Sequence, residues 1–158
     1  MKSFYSIYRL SLTIVLFVVI MPINSGYSHH PDDEDQVQII KEVIEKAYIQ
    51  GIHKKQNKDI AEMGFHPEFN MLVLKNNKLV KVDLDQWFRM MGGSRNSMED
   101  KPGATITHTF CFVDITGPVA VAKLEVYKDR KLFATDYMSL YKFNNQWKIV
   151  SKVFTFDH

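Results

Sequence analysis

From residue 104 onward the chain alternates apolar and polar residues almost to its end, and before that it does not. Four runs, 104–115, 119–128, 131–143 and 146–156, carry the period of two that places successive side chains on opposite faces of a strand. Turn residues separate them: Gly117-Pro118, the segment Lys128 to Lys131, and Asn144-Asn145. Ahead of this meander the apolar spacing is helical. Val37, Ile40, Ile44 and Ala47 or Tyr48 recur as one stripe, predicting an amphipathic helix over roughly 33–54. The acids Asp32-Asp33-Glu34-Asp35 suit its start, where the backbone N–H groups are unpaired.

The polar stretch His53 to Lys58 ends that helix. Asp59 is then the expected cap of a short second helix stopped by Gly64. A hairpin over 70–82 turns at Asn76-Asn77, residues that tolerate positive φ. Asp83, with Gln86 in the capping-box position, opens a third helix whose stripe is Leu84, Trp87, Phe88 and Met91, and Gly92-Gly93 closes it. Residues 94–103 read as a polar loop. Helices segregated from strands predict an α+β domain with the helices on one face of an antiparallel sheet. Strands this long can curl around the helices and leave a cavity between.

The first 28 residues read differently. Lys2 and Arg9 flank a short polar start, and Leu10 to Met21 is an apolar run of 12 residues, followed by Pro22, Asn24, Ser25, Gly26 and Ser28. That order is expected of a secretory signal peptide over 1–28, cleaved to leave His29 first. A spanning helix would need roughly 20 apolar residues. The remaining domain, 29–158, is then exported, periplasmic or secreted and bacterial, with no membrane attachment after cleavage. The segment holds two of the 20 basic residues and none of the 18 acids, so 29–158 has a formal charge of zero. A neutral domain offers no electrostatic basis for holding nucleic acid or anionic lipid.

Polar groups on apolar strand faces are the candidates for function. One face reads Ile106, His108, Phe110, Phe112; another Leu132, Ala134, Asp136, Met138, Leu140; a third Val150, Lys152, Phe154, Phe156. A buried charge must be paired or neutralised. Counting back from the Asn144-Asn145 turn, Asp136 faces about Val153 and neighbours Lys152 diagonally, so a cross-strand ion pair is reasonable; a one-residue slip would change the faces. Asp136, Lys152, His108 and His66 can thus be read as a polar cluster that positions a ligand or moves a proton. They can equally be read as a structural pair with satisfied histidines. Pro67 holds His66 extended.

Cys111 is the single cysteine, in mid-strand, and is expected to be a small buried apolar residue. Cleavage after Gly26 would make His29 third in the chain, an arrangement that chelates copper or nickel; a leader followed by helix-start acids explains the same residues, and no distant His/Cys set completes a metal site. No Gly-x-Ser-x-Gly elbow, phosphate loop or His-Glu-x-x-His helix is present. Tyr127, Tyr137, Tyr141 and Trp147 are read as sheet or core aromatics, with a stacking platform as the alternative.

Two stretches resemble a known superfamily. Ala47-Tyr48-Ile49-Gln50-Gly51, Asp59 and Phe65-His66-Pro67-Glu68-Phe69 are similar to the opening of nuclear transport factor 2-like (SnoaL-like) domains. Asp136-Tyr137-Met138-Ser139-Leu140-Tyr141-Lys142, Asn145 to Val150 and Lys152-Val153-Phe154 are similar to their last two strands, and most similar to the small bacterial branch called "putative lumazine-binding". The resemblance covers about 33–156. It implies a cone-shaped domain, a bent sheet around three helices, often a dimer through the outer face. It also implies that His66 and Asp136 occupy recurring polar positions of the pocket. The superfamily holds isomerases, dehydratases, cyclases and epoxide hydrolases beside non-catalytic binders, so fold alone does not assign activity. The expectation is a binder of a small hydrophobic or heteroaromatic ligand, without a cofactor, through His66, Trp87, His108, Asp136 and Lys152. The alternatives are a small enzyme using Asp136 or His66 for proton transfer, and a dimeric adaptor.

Overall fold

A computed structural model describes residues 31–94 and 104–157. Helix α1 spans Pro31–Ile44, and the chain continues over Glu45–Lys54 as wide turns of the i→i+5 kind. The Lys55 N–H donates to Gln50 O at 2.8 Å, five residues back. Helix α2 is Lys58–Glu62 and α3 is Leu84–Ser94. The strands are β1 Phe65–Lys75, β2 Lys78–Val82, β3 Ile106–Thr116, β4 Val119–Lys128, β5 Lys131–Phe143 and β6 Gln146–Phe156. The expected signal peptide and the His29-His30 segment lie outside the described residues. Among the described residues no helix is long and apolar enough to cross a membrane.

The fold is α+β, with helices on the N-terminal side of a curved, unclosed six-stranded sheet of order β2-β1-β6-β5-β4-β3. It is mixed rather than wholly antiparallel, because β1 runs parallel to β6. β1 and β6 are far apart in the chain, so no tight turn joins them to impose an antiparallel direction. The two-residue hairpin turns match expectation. Asn76-Asn77, Asp129-Arg130 and Asn144-Asn145 all adopt positive φ at both central residues, the conformation that joins twisted strands tightly. Arg130 is an uncommon residue there, and its turn is tied down by Asp129 Oδ1, which accepts from the Thr105 N–H at 2.9 Å.

Three single-residue bulges interrupt the antiparallel pairs, and the parallel β1–β6 register also shifts between Phe65 and Asn70. Cys111, Phe133 and Val150 are each an extra residue between otherwise regular pairs. The bulge at Cys111 corrects two expectations about β3. Phe110 still faces the helices, but after the extra residue the inward positions become Val113 and Ile115. Cys111 is therefore exposed rather than buried, and Phe112 turns outward. In α2 the cap is Asn57 rather than Asp59: Asn57 Oδ1 accepts from the Ile60 N–H at 3.1 Å. The capping box of α3 is as expected, with Asp83 Oδ1 accepting from Gln86 N and Gln86 Oε1 from Asp83 N.

The core lies between the sheet's concave face and the helices, built on Ile40, Ile44, Tyr48, Phe65, Phe69, Leu124, Met138, Leu140 and Ile149. Polar ties fix the layers. Gln36 Oε1 accepts from both Trp147 Nε1 and Lys142 Nζ at 2.9 Å, holding α1 to the β5–β6 hairpin. Gly64 sits where the first helical segment meets the start of β1, and a Cβ there would come within 2.4 Å of Ala47 Cβ. Gly64→Ala is expected to destabilise the domain by about 1–3 kcal/mol through overpacking, measured as a lowered urea midpoint at unchanged slope.

Candidate functional site

The wide helical turn creates the centre of this molecule. In an α-helix, residues five apart point in different directions, but here Tyr48 and His53 share a face, their rings 4.6 Å apart and edge-to-face. Tyr48 reaches across to the sheet and donates its hydroxyl hydrogen to Asp136 Oδ2 at 2.5 Å. Lys152 Nζ donates to Tyr48 Oη at 2.8 Å. The same ammonium lies 2.8 Å from Asp136 Oδ1, so the carboxylate is ion-paired through one oxygen and hydrogen-bonded to Tyr48 through the other.

Asp136 and Lys152 share a face because of Val150. An unbroken register from the Asn144-Asn145 turn would set Lys152 opposite Tyr137, on the outer face. The extra residue shifts the pairs so that Lys152 faces Met138 and Asp136 faces Phe154. Lys152 is then the diagonal, same-face neighbour of Asp136, but Asp136 faces Phe154 rather than the expected Val153, and Val150 is not on that face. Asp136 is 0% and Lys152 3% exposed, so both point inward, and neither lines the two surface clefts described below. Three rings enclose the Lys152 ammonium: Tyr48 at 4.6 Å, Phe154 at 4.7 Å and Trp87 at 4.9 Å.

The electrostatics follow from burial. Desolvation, then the charge of Asp136 and its hydrogen bond, hold the Tyr48 hydroxyl well above its ordinary pKa, so it stays a donor. Desolvation lowers Lys152, against the pull of Asp136. His53 is lowered to about 3, first by burial and then by Lys152 and Lys128. Although His53 as a residue is only half-buried, its Nε2 is shut off from solvent with no aligned partner, and the nitrogen is what governs protonation.

The other sequence candidates lie elsewhere. Trp87 is in the centre, stacked on Phe69 and tilted against Tyr48. His108 pairs with the first helical segment, its Nε2 3.1 Å from Glu45 Oε2. His66 stacks on Phe143 at 4.5 Å, and its Nδ1 accepts from Glu68 N. Its ring lines a surface cleft of about 480 Å³ with Lys58, Glu62, Pro67 and Asp83, which does not include Asp136. A second surface groove, bounded by Ile39, Glu42, Val43, Lys46 and Met63, is lined by neither Asp136 nor Lys152. Tyr48, His53, Phe133 and Phe154 join the centre without having been singled out. Tyr48 was legible as part of an apolar helical stripe, whereas the α period concealed His53.

The family described as "Putative lumazine-binding" matches residues 35–155. The chain belongs to that family. Its match spans all six strands up to Thr155, and so contains every residue of the Tyr48–Asp136–Lys152 centre. Solved structures share the fold of this putative lumazine-binding domain. A nuclear transport factor 2-like protein of unknown function from Shewanella baltica is 22% identical, with a TM-score of 0.64 over 79% of this chain and 96% of that one. One from Silicibacter pomeroyi is 14% identical, with a TM-score of 0.64 over 79% and 98%. One from Methylobacillus flagellatus is 20% identical, with a TM-score of 0.58 over 83% and 97%. No curated protein matches the chain.

Proposed function

We propose that this chain is an exported small-molecule-binding domain whose ligand is held at the Tyr48–Asp136–Lys152 centre. The supporting observation is His53 Nε2, a buried polar atom with no hydrogen-bond partner among the described residues, close to the ring-enclosed Lys152–Asp136 ion pair. Buried polar atoms in native proteins are nearly always satisfied, by protein, water or ligand. A flat heteroaromatic molecule brings an apolar body to Trp87 and Phe154 and edge N–H and C=O groups to the polar atoms. The family description points to that ligand class. Titration with the pteridine lumazine is expected to quench Trp87 fluorescence saturably, and Trp87→Phe to abolish the signal. A flat titration at saturating lumazine counts against a pteridine ligand.

The outer face of the sheet supports self-association as part of this reading. Phe112, Val121, Tyr137, Tyr141 and Val153 are exposed there, and the register sets Lys123, Tyr137 and Val153 in one row across β4, β5 and β6. Such a patch is characteristic of an interaction surface, and a domain of zero formal charge does not repel its own copy. The domain is expected to be a homodimer through this face, with Tyr137→Glu/Val153→Glu yielding a monomer by light scattering. A wild-type monomer at high micromolar concentration would rule the dimer out.

A further inference from the structure

Lys152 has the surroundings of a nucleophile. Its Nζ is 2.8 Å from a phenol oxygen and 2.8 Å from a carboxylate oxygen, inside three aromatic rings and away from water. The hydrogen bonds point one way: Lys152 donates to Tyr48 Oη, and Tyr48 donates to Asp136 Oδ2. A concerted shift along that chain moves one proton from nitrogen to oxygen and another from phenol to carboxylate. It converts ammonium and carboxylate into neutral amine and neutral acid, with Tyr48 unchanged. In an interior from which water is excluded, the ion pair and the neutral pair lie closer in free energy than they do in solution. A buried lysine that reaches its neutral form is the side chain that forms Schiff bases.

We propose that Lys152 Nζ is a reversible covalent anchor for a small aldehyde or ketone, with Tyr48 and Asp136 relaying the protons. The amine nitrogen attacks the carbonyl carbon while the Asp136 acid protonates the carbonyl oxygen. The nitrogen then returns a proton to Asp136. The resulting carbinolamine loses its hydroxyl as water, taking that proton from Asp136, and the carbon–nitrogen double bond forms. One carbonyl compound and one ammonium give one protonated imine and one water, with no oxidant or reductant. The product is again a cation beside the Asp136 carboxylate and inside the same three rings, and its single N–H keeps one of the ammonium's two polar contacts. Hydrolysis reverses the step and releases the ligand unchanged.

This inference rests on the reading that small molecules enter the interior, and names the carbonyl group as what that site captures. The test uses protein purified from its own host, benzaldehyde as the probe, and cyanoborohydride at neutral pH to trap imines, followed by peptide mapping. A benzyl adduct on Lys152 is expected, at higher occupancy than on the exposed Lys55 and Lys75. It should be reduced in Tyr48→Phe, which keeps the ion pair but breaks the relay, and lost in Lys152→Met. Adducts confined to exposed lysines overturn the proposal on wild-type protein alone, whatever the variants do. If lumazine binds reversibly while Lys152 stays unmodified, only the covalent step fails. If neither probe reaches the interior, the binding reading fails with it.

Discussion

Asp136→Ala is expected to cost the domain about 3–5 kcal/mol of stability, because it leaves the Lys152 ammonium buried without its counter-charge. That is a large fraction of what a domain of this size normally has, so the variant should unfold at a much lower urea concentration or accumulate poorly. The reverse truncation, Lys152→Ala, should cost a similar amount by stranding the Asp136 carboxylate. Replacing both, as Asp136→Leu/Lys152→Met, should return most of the loss, because well-packed apolar side chains carry no desolvation penalty. The comparison separates two roles. A pair kept for stability alone would leave the double variant weaker than wild type, whereas a pair kept for ligand capture predicts a stable double variant that no longer binds.

Acidification is expected to weaken the fold through His53. Its folded pKa, about 3, lies below the ordinary 6.5, so the unfolded chain takes up a proton there that the folded chain refuses. The contribution to stability is complete above 6.5 and is lost progressively as pH falls toward 3. The slope is at most about 1.4 kcal/mol per pH unit, or up to about 5 kcal/mol across the window. Carboxylates titrate in the same range, so the measurement is a difference. Urea midpoints for wild type and His53→Phe should run apart as pH falls from 7 to 4, with the variant the less sensitive. Parallel curves would show that His53 is protonated without penalty, and that its Nε2 is open to water.

The parts of this fold that were legible in the sequence are those governed by local periodicity. Strands β4, β5 and β6 begin and end where alternation and turn residues place them, and the Asp83–Gln86 capping box is where its spacing puts it. What escaped was non-local or broke the period. Nothing in the local pattern of β1 signals that it pairs parallel with β6, since that choice depends on a partner some eighty residues away. Cys111 was read as buried because alternation was carried straight through a position where the strand has one residue too many. At Val150 the same kind of irregularity worked the other way: without it, Lys152 would sit on the outer face.

The candidate site was legible as a pair but not as a centre. Asp136 and Lys152 stand out because charge is conspicuous on an apolar strand face. Tyr48 and His53 do not, because a tyrosine in a helical stripe looks like core and His53 falls at the polar end of the helix. Only the i→i+5 winding of Glu45–Lys54 brings both rings to one side, and nothing in residue spacing announces it. Conversely His66, singled out by its place beside Pro67 and by the family resemblance, lies against Phe143 in a separate cleft.

The central claim is that the interior around Asp136 and Lys152 holds a small molecule. Native mass spectrometry of the protein purified from its own host tests it most directly. The expected result is a co-purified small molecule of definite mass, retained by wild type and absent from Asp136→Leu/Lys152→Met. Protein that emerges empty, and stays empty after exposure to a metabolite extract of that host, would contradict the claim and leave the exposed face of the sheet as the functional surface.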